Sequence, residues 1–260
     1  MRFKDDIKKY YRYIILAAKF QLRSEVENSY LDWIWWILEP LCNMIVYTIV
    51  FGYVFDAKEN YFPVFIFIGI SIWSFFSRTL NESVKLLKRH KSIITKVYIP
   101  KQMLLIKSIL VNAFKMLLSF VIIAVMIFIY QIDMSVYFLN IIPALITLFL
   151  FTYGISCFLM HYGVYLEDLA YIVSILLKMA MYFTGIFYSI ENKVPAPYGS
   201  FLTLYNPIAF LITATRNSLL YQTGCNPISL FVWLLFSLIL AVLGTKLIYK
   251  NENSYVKVIW

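Results

Sequence analysis

Six apolar stretches of membrane-crossing length, parted by short polar breaks, constrain this chain before anything else does. They cover residues 31–55, 61–77, 108–132, 134–166, 169–190 and 227–245. The hydrocarbon core of a bilayer takes about 20 helical residues to cross, within a range of about 17–25. The mean hydropathy is +0.75. Only 14% of residues are charged, against about 25% in a soluble domain. A backbone inside lipid must satisfy its own hydrogen bonds, and single apolar stretches of this length do so as helices. The expected fold is therefore an all-α polytopic membrane protein with six transmembrane helices.

The chain reads as one membrane domain over residues 1–260. It divides into an interfacial segment at 1–30, the six spans at 31–249 and a tail at 250–260 that is too short to fold alone. No soluble catalytic domain fits. Asp5, Asp6, Lys8, Lys9, Arg12, Lys19 and Arg23 interrupt the first segment, whereas a signal peptide needs a continuous apolar core. Ile7, Tyr11, Ile14, Ile15, Ala18 and Leu22 recur at spacings of three and four, with basic residues between them. That is a basic amphipathic helix lying in the membrane interface. It reads either as a brace for a channel mouth or as a simple anchor. Glu25 and Glu27 read as solvated helix charges.

Basic residues set the orientation. Arg2, Lys4, Lys8, Lys9, Arg12, Lys19 and Arg23 precede the first span. Lys85, Lys88, Arg89, Lys91, Lys96, Lys101 and Lys107 lie between the second and third, and Lys246, Lys250 and Lys257 end the chain. The opposite loops carry only Lys58, Lys193 and Arg216. The positive-inside rule then places both termini and the 85–101 loop in the cytoplasm. The turn at 163–170 carries only Glu167 and Asp168 and gives no help. The net charge of +9 reads as a topology signal and a contact with anionic head groups, not as a nucleic-acid surface.

Between the fifth and sixth stretches the chain is neither loop nor clean span. Pro195, Pro197 and Gly199 break it. Two short apolar pieces, 201–205 and 208–214, flank Asn206-Pro207. Neither can cross a bilayer, so they read as a re-entrant helical hairpin. Asn206 suits a helix cap, with Pro207 at the first helical position.

Catalytic motifs are missing. There is no phosphate-cradling loop with its lysine, His90 and His161 stand far apart, and no Asp-x-Asp pair faces a membrane mouth as a metal-dependent sugar transferase would often require. Cys42, Cys157 and Cys225 form no framework and read as unpaired small fillers. No catalytic or metal-ligating residue is expected. Glu39, Lys115 and Lys178 lie within spans, where charge is costly and marks a polar interior or a pair. Lys115 or Lys178 is expected to meet Glu39 or a substrate phosphate. Tyr47, Phe51 and Phe55 recur every fourth residue along the first span, and Tyr182, Phe183, Phe187 and Tyr188 enrich the fifth. Such rings could form a stacking path for sugars or could be ordinary packing.

The run Ser29-Tyr30-Leu31-Asp32-Trp33-Ile34-Trp35-Trp36-Ile37-Leu38-Glu39-Pro40-Leu41, with Arg23 before it and Val50-Phe51 after it, resembles the first-span entry of polysaccharide ABC exporter permeases of the type-two class. Asp32 stands where that pattern has glycine. Ile99-Pro100-Lys101 resembles the end of the family's cytoplasmic loop. Tyr205-Asn206-Pro207, Arg216 and Leu219-Leu220-Tyr221 resemble its segment before the last span. The resemblance runs in order along the whole chain. It implies a homodimeric channel for a lipid-linked glycan of O-antigen, teichoic acid or capsule type, in the bacterial cytoplasmic membrane. It also implies a separate ATPase subunit that binds ATP and Mg, so this chain holds no cofactor itself. Lys88, Arg89, Lys91, Lys96, Tyr98 and Pro100 would then belong to the ATPase-coupling loop, with Glu167 and Asp168 as a second contact. A type-two permease for a drug or small lipid, or a membrane-embedded glycan-modifying enzyme, are the alternative readings.

Overall fold

A computed structural model describes residues 2–27, 32–55, 59–133, 135–195 and 197–259. Ser29, Tyr30 and Leu31 of the first-span motif, the loop residue Lys58, Met134 and the terminal Trp260 lie outside the described residues. Every regular element among the described residues is helical: α1 (Arg2–Val26), α2 (Trp35–Tyr47), α3 (Phe62–Arg89), α4 (Lys91–Ile94), α5 (Lys101–Ile129), α6 (Ile141–Tyr165), α7 (Leu169–Phe183), α8 (Ile190–Lys193), α9 (Tyr198–Tyr205), α10 (Pro207–Leu219) and α11 (Pro227–Ile259). Short 3₁₀ turns precede α2 and α6, and α2 runs on as a π-helix over Thr48–Val54.

Five of these helical segments are long and apolar enough to cross a membrane: Trp35–Val54, Phe62–Arg89, Lys101–Ile129, Val136–Tyr165 and Pro227–Tyr255. The fifth apolar stretch is the exception to the six-span expectation. Its helix, α7, has 15 residues, about 22 Å at the usual rise per residue, and stops short of a full crossing. The chain turns at Gly185, whose φ of +64° lies in the left-handed region that glycine enters without steric cost. The second and last helices instead outrun their apolar stretches, continuing to Arg89 and Ile259.

α3 is the axis of the bundle. It packs against α2, α5, α6, α7 and α10, and Val64, Ile66, Phe67 and Ile68 are wholly buried. A helix apolar on all sides is the one its neighbours surround. α6 and α11 form the most extensive helix pair. A Cβ on Gly244 would fall 2.6 Å from the Cβ of Cys157, so glycine lets these backbones approach closely, as small residues do in membrane bundles.

Contacts of charged residues join α1, the 85–101 break and α11. Arg2 meets Glu252 at 2.7 Å, Tyr249 donates to Asp6 at 2.6 Å and Lys88 meets Glu167 at 3.4 Å. The tail is no loose end. Ile248 and Tyr255, seven residues apart, are almost fully buried and extend the inner face of α11 by two turns. α1 lies along α5, with Ile14 and Ala18 buried and Lys8, Lys9, Lys19 and Arg23 exposed; Tyr11 and Ile15 of the expected apolar face are exposed instead.

Candidate functional site

The spacing of Tyr47, Phe51 and Phe55 puts their rings on one side of the first span, and the structure joins them to the broken segment after α7. Phe187 stacks on Phe51 with ring centres 4.5 Å apart and meets Tyr47 edge-on at 4.8 Å. Phe51 stacks on Phe55 at 5.6 Å, and Tyr182 leans on Phe187 at 6.0 Å. Phe187 is buried at the centre of this ladder, whereas Phe55 and Tyr182 are exposed. The Tyr188 hydroxyl donates to the Tyr182 carbonyl at 2.9 Å, which fixes the turn. Phe183 is exposed on α7. The ladder thus forms a strip of flat aromatic surface along the least enclosed helix of the bundle, since α2 and its π-helical continuation contain no buried residue.

The break that carries Phe187 is held from the opposite side by Arg216. This side chain is 3% exposed. Its guanidinium donates to the carbonyls of Phe65 at 3.0 Å, Gly185 at 2.7 Å and Ile186 at 2.9 Å, and its carbon centre lies 3.4 Å from the middle of the Phe65 ring. A broken helix leaves carbonyls without partners, and arginine's planar fork can satisfy several at once. A Cβ on Gly69 would fall 2.6 Å from this guanidinium, so glycine on α3 makes the space for it. Sequence counting placed Arg216 in an outer loop; it is instead a brace inside the bundle. Asn206 caps α10 as its Asn-Pro pattern predicts, accepting from the amides of Ile208 at 3.1 Å and Ala209 at 3.2 Å. Its amide also reaches the Phe183 carbonyl at 3.4 Å, tying α10 to the end of α7.

Toward the basic end a layer of charged and polar groups lies between α1, α2, α3 and α5. Lys115 pairs with Glu25 at 2.5 Å and Glu39 with Arg78 at 2.6 Å. Of the partners expected for Lys115 or Lys178, Glu39 is taken by Arg78, and Lys115 meets Glu25, which the sequence reads as a solvated charge. Lys178 lies exposed on α7 and does not join this layer. Glu82 accepts from Ser108 at 2.5 Å and from Asn112 at 3.1 Å. His90 donates from Nδ1 to the Leu86 carbonyl at 2.9 Å and faces the Lys107 ammonium with Nε2 at 3.1 Å. Burial lowers the His90 imidazole below its ordinary value, and the Lys107 and Arg89 charges act in the same direction. A cavity where Asn43, Ser71, Arg78, Asn112 and Lys115 meet the apolar Trp36, Phe75 and Met116 has only about 30 Å³, room for about two water molecules. In this conformation it cannot admit a sugar diphosphate.

The 85–101 break folds as the end of α3, the short α4 and an extended link. Arg89, Lys91, Lys96 and Tyr98 are exposed and Lys88 is half-buried. Ile93 and Val97 add exposed apolar side chains one turn apart. Pro100 is buried and begins α5, and Lys101 and Lys107 are buried as well, so two of the seven counted loop charges face the interior. Glu167 and Asp168 lie exposed at the turn before α7. Tyr98 donates to Glu252 at 3.1 Å and accepts from Arg2 at 2.6 Å. Burial, and then the Glu252 charge, raise the Tyr98 phenol above its ordinary value. This knot joins the break to both ends of the chain. Neither Arg2 nor Glu252 was marked from sequence, since their meeting spans 250 residues.

Residues 17–220 match the family model described as ABC-2 type transporter. This chain belongs to the ABC-2 type transporter family. Family members are transport subunits and multi-pass membrane proteins. Among its relatives, the chain is 23% identical to the O-antigen export system permease protein RfbA of Klebsiella pneumoniae over 95% of its own length and 94% of that protein. It is 25% identical to the O-antigen export system permease protein RfbA of Myxococcus xanthus over 80% and 81%. It is also 23% identical to the polysialic acid transport protein KpsM of Escherichia coli over 90% and 91%.

Proposed function

We propose that this chain is the channel-forming membrane subunit of an ATP-driven exporter that moves a lipid-linked cell-surface polysaccharide, of O-antigen, teichoic acid or capsule type, across the bacterial cytoplasmic membrane. It acts as a homodimer with two copies of a separate ATPase. The basic end and both termini face the cytoplasm. ATP and Mg are bound by the ATPase, so this chain needs neither catalytic groups nor a cofactor. The names of its relatives, which concern O-antigen and polysialic acid export, support this reading.

The observation that carries it is the ladder of Tyr47, Phe51, Phe55, Phe187 and Tyr182. Flat ring faces contact the C–H faces of sugars without demanding fixed hydrogen bonds, so a long glycan can slide across them. The ladder lies on the first span, which the rest of the chain hardly covers. α7 is similarly open, with Tyr171, Ile172, Ile175 and Met179 exposed. A second copy facing these two helices would enclose the ladder and complete a path.

Replacing Tyr47, Phe51 and Phe55 together by Leu tests this. The triple variant keeps apolar volume and removes the flat faces. It is expected to assemble with the ATPase and hydrolyse ATP, while export of the polysaccharide to the cell surface falls at least tenfold. Full export by a normally assembled variant would mean that the rings only pack the span.

A further inference from the structure

Away from the ladder, the first turn of α1 and helices α5, α6 and α11 enclose a slot of about 640 Å³. Its walls are apolar, with Ile109, Leu110, Phe149 and Val242 among them. Leu110 and Val242 are 42% and 47% exposed, so the slot opens sideways toward lipid. The volume falls within the range of about 300–1,000 Å³ typical of small-molecule sites. At the basic end its lining changes to Arg2, Lys4 and Lys246. Arg2 is bound to Glu252, and the neighbouring Asp6 accepts from the Tyr249 hydroxyl. Lys4 and Lys246 are exposed. Neither has an ion-pair partner among the described residues.

We propose that this slot holds one anionic phospholipid of the surrounding membrane, with an acyl chain along α5, α6 and α11 and its phosphate between Lys4 and Lys246. Charge complementarity selects this occupant. An apolar groove alone accepts any acyl chain, but two unpaired lysines at its basic end favour a head group with net negative charge. Basic pockets between helices at the membrane surface hold such lipids. The slot contains none of the ladder residues: its lining comes from α1, α5, α6 and α11, whereas the ladder is built on the first span, α7 and the turn after it. It is therefore a lipid site on the flank of the bundle and independent of the transport path. The lipid would complete the contact of α1 with the bundle, where Phe3 meets Tyr153 with ring centres 6.3 Å apart. It would thereby steady the Arg2–Tyr98–Glu252 knot.

The test titrates the full-length chain, in detergent, with phosphatidylglycerol and with phosphatidylcholine of the same acyl chains, and counts bound lipid by native mass spectrometry. Each lysine near an anionic group contributes about fivefold in affinity. The wild type should therefore retain one phosphatidylglycerol with a preference on the order of tenfold or more. Lys4→Gln with Lys246→Gln, both at exposed positions, should bring that preference close to parity. Val242→Trp, which fills the slot and leaves the lysines in place, should remove the retained lipid of either kind. A wild type without preference, or a double Gln variant that keeps the full preference, would overturn the proposal. Tighter competition by a lipid-linked polysaccharide for the same stoichiometric site would also overturn it, because the occupant would then be substrate. None of these readings requires transport activity, so a failure here and a failure of the export proposal are separable.

Discussion

Arg216 shows how one residue decides whether a broken helix is tolerable in lipid. A buried guanidinium donates to the carbonyls of Phe65, Gly185 and Ile186 at once. Arg216→Lys keeps the charge but offers a point donor where a fork is needed. At least one carbonyl should be left unsatisfied, at about 1–3 kcal/mol each, and a clear drop in thermal stability is expected in detergent. A lysine variant as stable as wild type would contradict the brace. His90 gives a pH signature. Above about pH 6.5 the imidazole is neutral in the folded and unfolded chain alike, and stability is unaffected. As pH falls below that value, the unfolded histidine takes up a proton that the folded one resists, because burial and the Lys107 and Arg89 charges disfavour it. Stability should therefore decline between about pH 6.5 and the lowered native value. His90→Gln should flatten this part of a stability-against-pH curve. An unchanged slope would show that other groups cause the decline.

At the scale of elements, what could be read from sequence depended on how local the cause was. The cap at Asn206 and Pro207 needs only neighbours in the chain, and it forms as its residues predict. The amphipathic α1 depends on a short repeat and was equally plain. The end of α11 is less legible, because its charges hide a buried face at Ile248 and Tyr255, where Tyr255 meets His161 of α6. Glu82 was overlooked for a similar reason: α3 continues past its apolar stretch, and the Ser108 and Asn112 that receive Glu82 lie on another helix. For Lys115 the sequence offers Glu39 or a substrate phosphate and reads Glu25 as a solvated charge; the pair with Glu25 depends on the packing of α1 on α5, which spacing does not reveal. The break around α4 allows a direct test of partner docking. Ile93 and Val97 are exposed apolar side chains four residues apart, beside Lys96, and neither hydrogen-bonds within the Arg2–Tyr98–Glu252 knot. Ile93→Ser with Val97→Ser should reduce co-purification of the ATPase at least tenfold while the chain still inserts and keeps its stability. Normal recovery of the complex would move the docking surface elsewhere, with the exposed Glu167–Asp168 turn as the next region to test.

For the whole molecule, hydropathy alone predicts an all-helical membrane bundle, and the family match and the helices bear that out. It could not show that the fifth apolar stretch is broken, since apolarity continues through Gly185 and Phe187 while the helix does not. Nor could it distinguish a lipid-facing aromatic stripe from one that meets a second segment. The ladder became visible only when Phe187 lay against Tyr47 and Phe51. The exposed sides of α2 and α7 lie next to that ladder, which is why the proposed path is dimeric. The most direct measurement is transport by the reconstituted complex. This chain and its ATPase are placed in proteoliposomes with lipid-linked polysaccharide, and ATP hydrolysis is followed together with the appearance of glycan on the far side of the membrane. The account predicts that the lipid-linked polysaccharide stimulates hydrolysis and that ATP drives the glycan across. Unstimulated hydrolysis with no ATP-dependent movement of glycan, or stimulation by a drug or small lipid instead, would contradict it.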